Sequence, residues 1–214
     1  MLNSGATTRK ADVCLILEGT YPYVTGGVST WTHDLISAQS DLSFHLVTLF
    51  APSTEQLVLR YQIPKNVISL SNVFIQRIRP GAEPTNRWAR FVEQLEGPLT
   101  KLQTGGGLDD LTRLIQLIQP VRQELGAQIL MNSPAAWDLL VRMYDRDFAH
   151  ASFIDYFWSW RSILGGLYSI LFADIPSARV YHSVSTGYAG LLAARASVET
   201  GRPSILTEHG IYTN

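Results

Sequence analysis

The chain has 214 residues, of which 46% are hydrophobic and 16% charged, and its formal net charge at pH 7 is -1. This composition excludes a disordered chain, and the length is sufficient to bury a substantial core. The near-neutral charge argues against a nucleic-acid-binding protein, because such proteins attract phosphates with a strong positive field.

A single cysteine, Cys14, excludes a disulfide framework and favours a reducing, cytoplasmic compartment. The five histidines are scattered along the sequence, so no metal site is predicted. Residues Met1 to Lys10 are polar and lack the apolar segment of a secretory signal, and we expect them to form a flexible tail.

The first predicted strand is the apolar run Val13–Leu17, which has no polar alternation and suits a parallel sheet buried on both faces. A glycine-punctuated loop, Gly19–Gly27, follows it. Apolar residues then recur at helical spacing, which predicts a helix that begins at about Val28. Its polar residues are expected mostly on the opposite face of this helix: Ser29, Thr30, Thr32, His33 and Asp34.

The order strand, tight loop, helix favours an anion such as phosphate, because a helix N-terminus presents unpaired N–H groups and a partial positive charge. Gly26 and Gly27 have no Cβ, so a ligand can approach the backbone there, although two glycines also serve simply to make a turn. The dinucleotide fingerprint and the P-loop pattern are both absent from this loop.

Further strands are predicted at Ser43–Phe50, at a weak segment Val67–Leu70 and at Val73–Ile78. The middle of the chain changes to helical periodicity, and we expect a helical insertion over about residues 86–175. The predicted helices in it are Trp88–Leu102, kinked or split at Gly97–Pro98, Leu108–Gln119, and Ala135–Arg146, with Ser133 as its N-cap.

The most apolar run is Phe153–Phe172, which is rich in aromatic residues. Asp155 and Arg161 interrupt it, so the charge-free stretch is too short to span a membrane. The run is therefore predicted to be a helix that either packs in the core or forms a contact with a partner or a membrane complex.

The last part of the chain repeats the strand-loop-helix order: strand Ala178–His182, helix Tyr188–Thr200, strand Ser204–Glu208. Such repeats imply parallel strands joined by right-handed crossovers. Ligands of these sheets bind beyond the carboxyl ends of the strands. We therefore expect the loops after the first strand, after Tyr181 and after Thr207 to share one edge.

Three motifs in chain order resemble the PelF-type glycosyltransferases, which are retaining GT-B enzymes of glycosyltransferase family 4 that act in Pel exopolysaccharide synthesis. The motifs are Glu18–Tyr23 with Gly26–Trp31, then Tyr181–Gly190, then Thr207–Tyr212. The resemblance implies that residues 11–214 form a single Rossmann-like domain, the N-terminal half of a GT-B fold.

By this resemblance, Gly26 and Gly27 match the loop near the donor phosphates, and His209 matches the catalytic histidine near the transferred sugar. The resemblance also places further substrate-binding residues at the same edge: Glu18, Val28, His182, Ser183, Thr186, Glu208 and Gly210. For Glu18, contact with sugar hydroxyls and a purely structural role both remain open. His182 and His209 have equivalent alternatives, since either can bond to backbone groups at a strand end.

The implied reaction is hexosyl transfer from a nucleotide sugar, expected to be a UDP-sugar, to a growing glycan, with no cofactor and no metal. The expected partners are a C-terminal nucleotide-binding domain, which does not follow Asn214 in this sequence, and membrane-bound components of a polysaccharide synthase. We expect the chain alone to be inactive. The competing interpretation is a non-catalytic α/β module that binds a nucleotide or a partner, and a complete flavodoxin-like protein is disfavoured by the helical insertion.

Overall fold

The computed structural model describes residues 10–51 and 56–209. These residues form two compact units. The first unit comprises the described residues up to Phe74 and those from Ala173 onward, and the second comprises Ile75–Phe172.

The first unit contains a sheet of five strands, all paired in parallel: β1 (Ala11–Glu18), β2 (Phe44–Phe50), β3 (Val67–Phe74), β4 (Ala178–Ser183) and β5 (Ser204–Leu206). Their order across the sheet is β3-β2-β1-β4-β5. The predicted α/β class with a Rossmann-like parallel sheet is therefore confirmed.

The helices of the described residues follow in chain order: α1 (Gly27–Ala38), α2 (Asn86–Gln103), α3 (Leu108–Ile118), α4 (Ala127–Leu130), α5 (Pro134–Asp147), α6 (Phe153–Phe172) and α7 (Tyr188–Thr200). A single 3-10 turn, Gln119–Val121, follows α3. None of these helices is long and apolar enough to cross a membrane.

Helices α1 and α7 lie on opposite faces of the sheet, as the alternation of side chains along β1 shows. Leu15 and Leu17 form a buried cluster with Ile36 of α1. Glu18, one position further along the strand, points to the other face and bonds to the first turn of α7. The sheet core is thus covered on both sides, which explains why β1 is apolar throughout most of its length.

Two predictions about strands are wrong in detail. Val67–Leu70 and Val73–Ile78 are not separate strands, because β3 runs continuously from Val67 to Phe74 in register with β2. The last strand is shorter than predicted and ends at Leu206. Local apolar runs do not mark where pairing begins or ends, since the neighbouring strand decides that.

Two predictions about helices also need correction. Ser29 and Thr32 of α1 are buried rather than on its solvent face. The Thr32 hydroxyl donates to the Val28 carbonyl oxygen (2.8 Å), so this polar group is satisfied within the helix and can face the interior. Helix α2 is not split at Gly97–Pro98, since it continues through Pro98 to Gln103.

The second unit is built from α2 to α6. The predicted cap of α5 is confirmed: the Ala136 N–H donates to Ser133 Oγ (3.1 Å), and Pro134 is the first helical residue. The first half of α6 buries one face, which includes Tyr156 and Trp160, whereas every residue from Leu164 to Leu171 is buried.

Candidate functional site

The sheet has a topological switch point between β1 and β4. These strands are neighbours, yet the chain continues from β1 to β2 on one side and from β4 to β5 on the other. The loops after β1 and β4 therefore lead away to opposite sides of the sheet, and in doubly wound folds such a divergence creates a crevice at the carboxyl edge. Ligands of doubly wound folds bind at this position.

On one side of the crevice, the N-terminus of α1 is open. A Cβ placed on Gly26 or Gly27 would meet no other atom of the described residues within 4 Å. Within the same part of the chain, no side chain caps this helix, and its first turn has no acidic residue. Unpaired N–H groups in a first turn of this kind are suited to an anion, and the predicted anion site stays a prediction. Val28 is partly buried against the core cluster and contributes backbone rather than side chain here.

On the other side, the N-terminus of α7 already holds a carboxylate. Glu18 Oε2 accepts a hydrogen bond from the Ala189 N–H (3.1 Å). A Cβ at Gly187 would lie only 2.7 Å from the same oxygen, so the glycine provides the space for this contact. Burial, together with the charge of Glu18, raises the pKa of Tyr188. Glu18 thus has a structural role as a cap of α7, and its contact with sugar hydroxyls stays a prediction.

The rings of His182 and His209 both lie near the ring of Trp31, on the α1 side of the sheet edge. The ring of Trp31 lies 4.8 Å from the His209 ring, edge to face, and 6.4 Å from the His182 ring. His182 Nε2 and Thr207 Oγ1 form a hydrogen bond (2.8 Å) that joins β4 to the segment after β5.

The two imidazoles differ in their surroundings. Burial lowers the pKa of His182, and the nearby charge of His209 lowers it further. His182 is therefore held neutral near pH 7 with one nitrogen engaged by Thr207. His209 is exposed, and the edge of Trp31 is the ring contact that positions it among the described residues. His209 is thus the imidazole that a bound ligand can reach.

The remaining predicted site residues differ from one another in their exposure. Ser183 is fully buried, and its hydroxyl donates to the Ser185 carbonyl oxygen within the loop. Thr186 and Glu208 are exposed. Gly210 lies outside the described residues.

Sequence reasoning did not identify several residues of this crevice. Thr20 Oγ1 and Ser185 Oγ, one in each diverging loop, are buried without a hydrogen-bond partner among the described residues. An unsatisfied buried hydroxyl costs about 1–3 kcal/mol, which a ligand or water can recover. Thr20, Trp31 and Ser185 lie within the motifs that resemble the glycosyltransferase family, but none of them was predicted as a site residue. Such a role depends on which loops meet, and a motif alone does not show that.

A second opening lies beyond the glycine loop. This cleft has a volume of about 490 Å³, and its lining includes Tyr23, Thr25, Phe50, Val58 and Arg60. The Tyr23 ring packs edge-on against Phe50 (5.3 Å). The Arg60 N–H donates to the Pro22 carbonyl oxygen (2.9 Å), which holds the far wall against the loop.

Within the described ranges, no three His, Cys, Asp or Glu side chains come together as metal ligands would. In comparisons with known proteins, a family model described as "Domain of unknown function (DUF3492)" matches residues 11–214. No curated protein and no solved structure matches the chain.

Proposed function

We propose that this chain, which belongs to the DUF3492 domain family, is the acceptor-side domain of a retaining glycosyltransferase. In this proposal it helps to move a sugar from a UDP-sugar to a growing exopolysaccharide. One observation carries the proposal: the glycine pair at the N-terminus of α1 and the exposed His209 follow the carboxyl ends of two parallel strands, β1 and β5, and Trp31 of α1 lies against His209.

Transfer from a nucleotide sugar requires that the leaving diphosphate be stabilised as its negative charge develops. The first turn of α1 offers N–H groups and a positive dipole for that purpose, and a Cβ on Gly26 or Gly27 would meet no atom of the described residues within 4 Å. The α7 N-terminus is less suited to phosphate, because Glu18 supplies the anion there.

His209 is proposed as the residue beside the transferred sugar. An imidazole at this position can donate a hydrogen bond to a sugar hydroxyl or to a group that gains charge in the transition state. The Trp31 ring fixes its orientation by an edge-to-face contact. The cleft lined by Tyr23 and Phe50 is a suitable place for the acceptor, since aromatic faces pack against sugar rings and the cleft begins at the glycine loop.

The proposal divides the work between two domains, and most of the nucleotide contacts belong to the other one. We therefore expect residues 1–214 alone to bind UDP weakly, with membrane-bound synthase components as further partners of the complete enzyme. Calorimetry with UDP tests this division, and a dissociation constant of about 1 µM for residues 1–214 would contradict it.

The activity itself is tested with the full-length protein. We expect release of UDP from at least one member of a panel of UDP-sugars, with the anomeric configuration of the product retained, as NMR can determine. Absence of both UDP release and UDP-sugar binding across the panel would refute the enzymatic proposal. Binding without release would favour the non-catalytic module.

A further inference from the structure

One face of helix α6 is exposed although it carries large apolar side chains. The exposed positions in its first half are spaced as pairs four residues apart: Ile154, Asp155, Trp158, Ser159, Ser162 and Ile163, here named the α6 stripe. Ile154, Trp158 and Ile163 are 67%, 64% and 53% exposed. Apolar side chains exposed together in this way mark interaction surfaces more often than single exposed residues do.

The stripe belongs to a helix that is firmly packed on its other side. Trp160 and Tyr168 of α6 are buried. Arg161 donates to the Met131 carbonyl oxygen (2.8 Å) and to Asn132 Oδ1 (3.1 Å), which ties α6 to the turn before α5. The stripe is therefore presented on a fixed support, which reduces the ordering cost of binding a partner.

The sequence of the stripe is complementary to itself when a second copy is laid antiparallel on it. In an antiparallel pair centred between positions 158 and 159, Ile154 lies opposite Ile163 of the second copy. Under the same operation the Trp158 ring meets the small Ser159, and the Asp155 carboxylate meets the Ser162 hydroxyl. This hydroxyl accepts a hydrogen bond from Gln76 Nε2 of its own copy (2.8 Å), and its hydrogen remains to be donated to the carboxylate. Apolar residues thus pair with apolar ones, polar with polar, and the largest side chain with a small one.

We propose that the α6 stripe is the interface of a homodimer in which two α6 helices cross antiparallel about a two-fold axis between Trp158 and Ser159. A two-fold interface requires such a self-complementary surface. The stripe follows the ridge of residues four apart, and two such ridges interdigitate at a crossing angle of about -50°. This inference does not depend on the proposed enzymatic function.

Neighbouring aromatic residues extend the surface beyond the stripe. Trp137 of α5 is 48% exposed, and its ring lies 6.1 Å from the Phe157 ring, next to Trp158 in the sequence. Interface cores are enriched in such aromatic residues. Because the stripe and this rim come from only two helices, we expect a small interface and therefore a weak, concentration-dependent dimer.

Sedimentation velocity of the full-length protein over a concentration series tests the proposal. We expect dimers at concentrations on the order of 10–100 µM, as for small interfaces. Trp158→Glu should abolish them without lowering the melting temperature, because the side chain is exposed. Leu108→Glu is the matched control, since Leu108 is 58% exposed but lies on α3 and should leave the dimer intact.

Cysteine crosslinking tests the two-fold geometry. Ser159→Cys places thiols of the two copies close to the axis and should give an intermolecular disulfide on mild oxidation, whereas Ser37→Cys, exposed on α1, should not. The native Cys14 does not compete, because it is buried and its burial raises the pKa of its thiol to about 12. A monomer at 100 µM, or a dimer that survives Trp158→Glu, would overturn the proposal. Equal crosslinking at positions 37 and 159 would also overturn it. So would a stripe that is inaccessible to solvent in the monomer, because another part of the protein would then cover it.

Discussion

Glu18, the last residue of β1, accepts a hydrogen bond through Oε2 from the backbone N–H of Ala189 in the first turn of α7 (3.1 Å). A strand from the beginning of the chain thereby caps a helix near its end. The contact closes one helix N-terminus at the switch point, while the other, at Gly26 and Gly27, stays open.

Removing this cap should lower stability. Glu18→Ala deletes both the acceptor and the charge, and we expect a loss of about 1 kcal/mol in the free energy of unfolding, the typical cost of a lost cap. Glu18→Gln keeps an acceptor and should cost less. Urea melts of both variants measure this, with Asp34→Asn, an exposed acidic residue of α1, as the control. Equal stability of Glu18→Ala and wild type would show that the cap contributes nothing.

Gly27→Val should separate ligand binding from folding. A Cβ at this position would meet no atom of the described residues within 4 Å, so the free energy of unfolding should change by no more than about 0.5 kcal/mol. If phosphate occupies the space, UDP release by the full-length protein should fall roughly a hundredfold, as expected when a reacting group is displaced. Thermal melts and UDP-release rates give the two quantities. Normal turnover would mean that the glycines only form the turn.

His209→Ala should affect turnover rather than stability. The side chain is exposed and its described ring contact is the edge of Trp31, so the melting temperature should hardly change. UDP release should fall roughly a hundredfold, a typical cost of losing a group that stabilises developing charge. His150→Ala, at another exposed histidine, is the control. A destabilised protein with near-normal turnover would remove His209 from the catalytic role.

His182 should make stability depend on pH. Its pKa in the folded protein is lowered by burial and by the charge of His209, so the unfolded chain binds the proton more readily. The contribution of this residue is present above the usual histidine pKa of about 6.5, and it is lost as the pH falls through the lower folded pKa.

The test is a series of urea melts between about pH 7.5 and 5, where the unfolding free energy should decrease towards acid. His182→Gln should flatten the decrease, since glutamine does not titrate. His209→Ala should make the decrease smaller, because one of the two causes of the lowered His182 pKa is removed. An unchanged slope in His182→Gln would assign the pH dependence to other groups.

The sequence alone determined the elements with strong local signals. The apolar runs became β1, β2 and β4, and the helical periodicities became α2, α3, α5, α6 and α7 within one or two residues of their predicted ends. Burial on both faces makes a parallel strand continuously apolar, and a half-buried helix repeats every three to four residues. Both patterns are properties of the local sequence, so they can be recognised without knowing which other elements the strand or helix packs against.

Only the tertiary structure decided which of these elements meet. The pairing of β1 with β4 brings together residues about 170 positions apart, and with them the Glu18 cap on α7. The same assembly sets Trp31 against His209 and joins His182 to Thr207. It also separates Trp158, which is exposed, from Trp160, which is buried on the same helix. Such contacts depend on how distant segments pack together and on which side of a helix is turned towards the core. Local periodicity encodes neither of these.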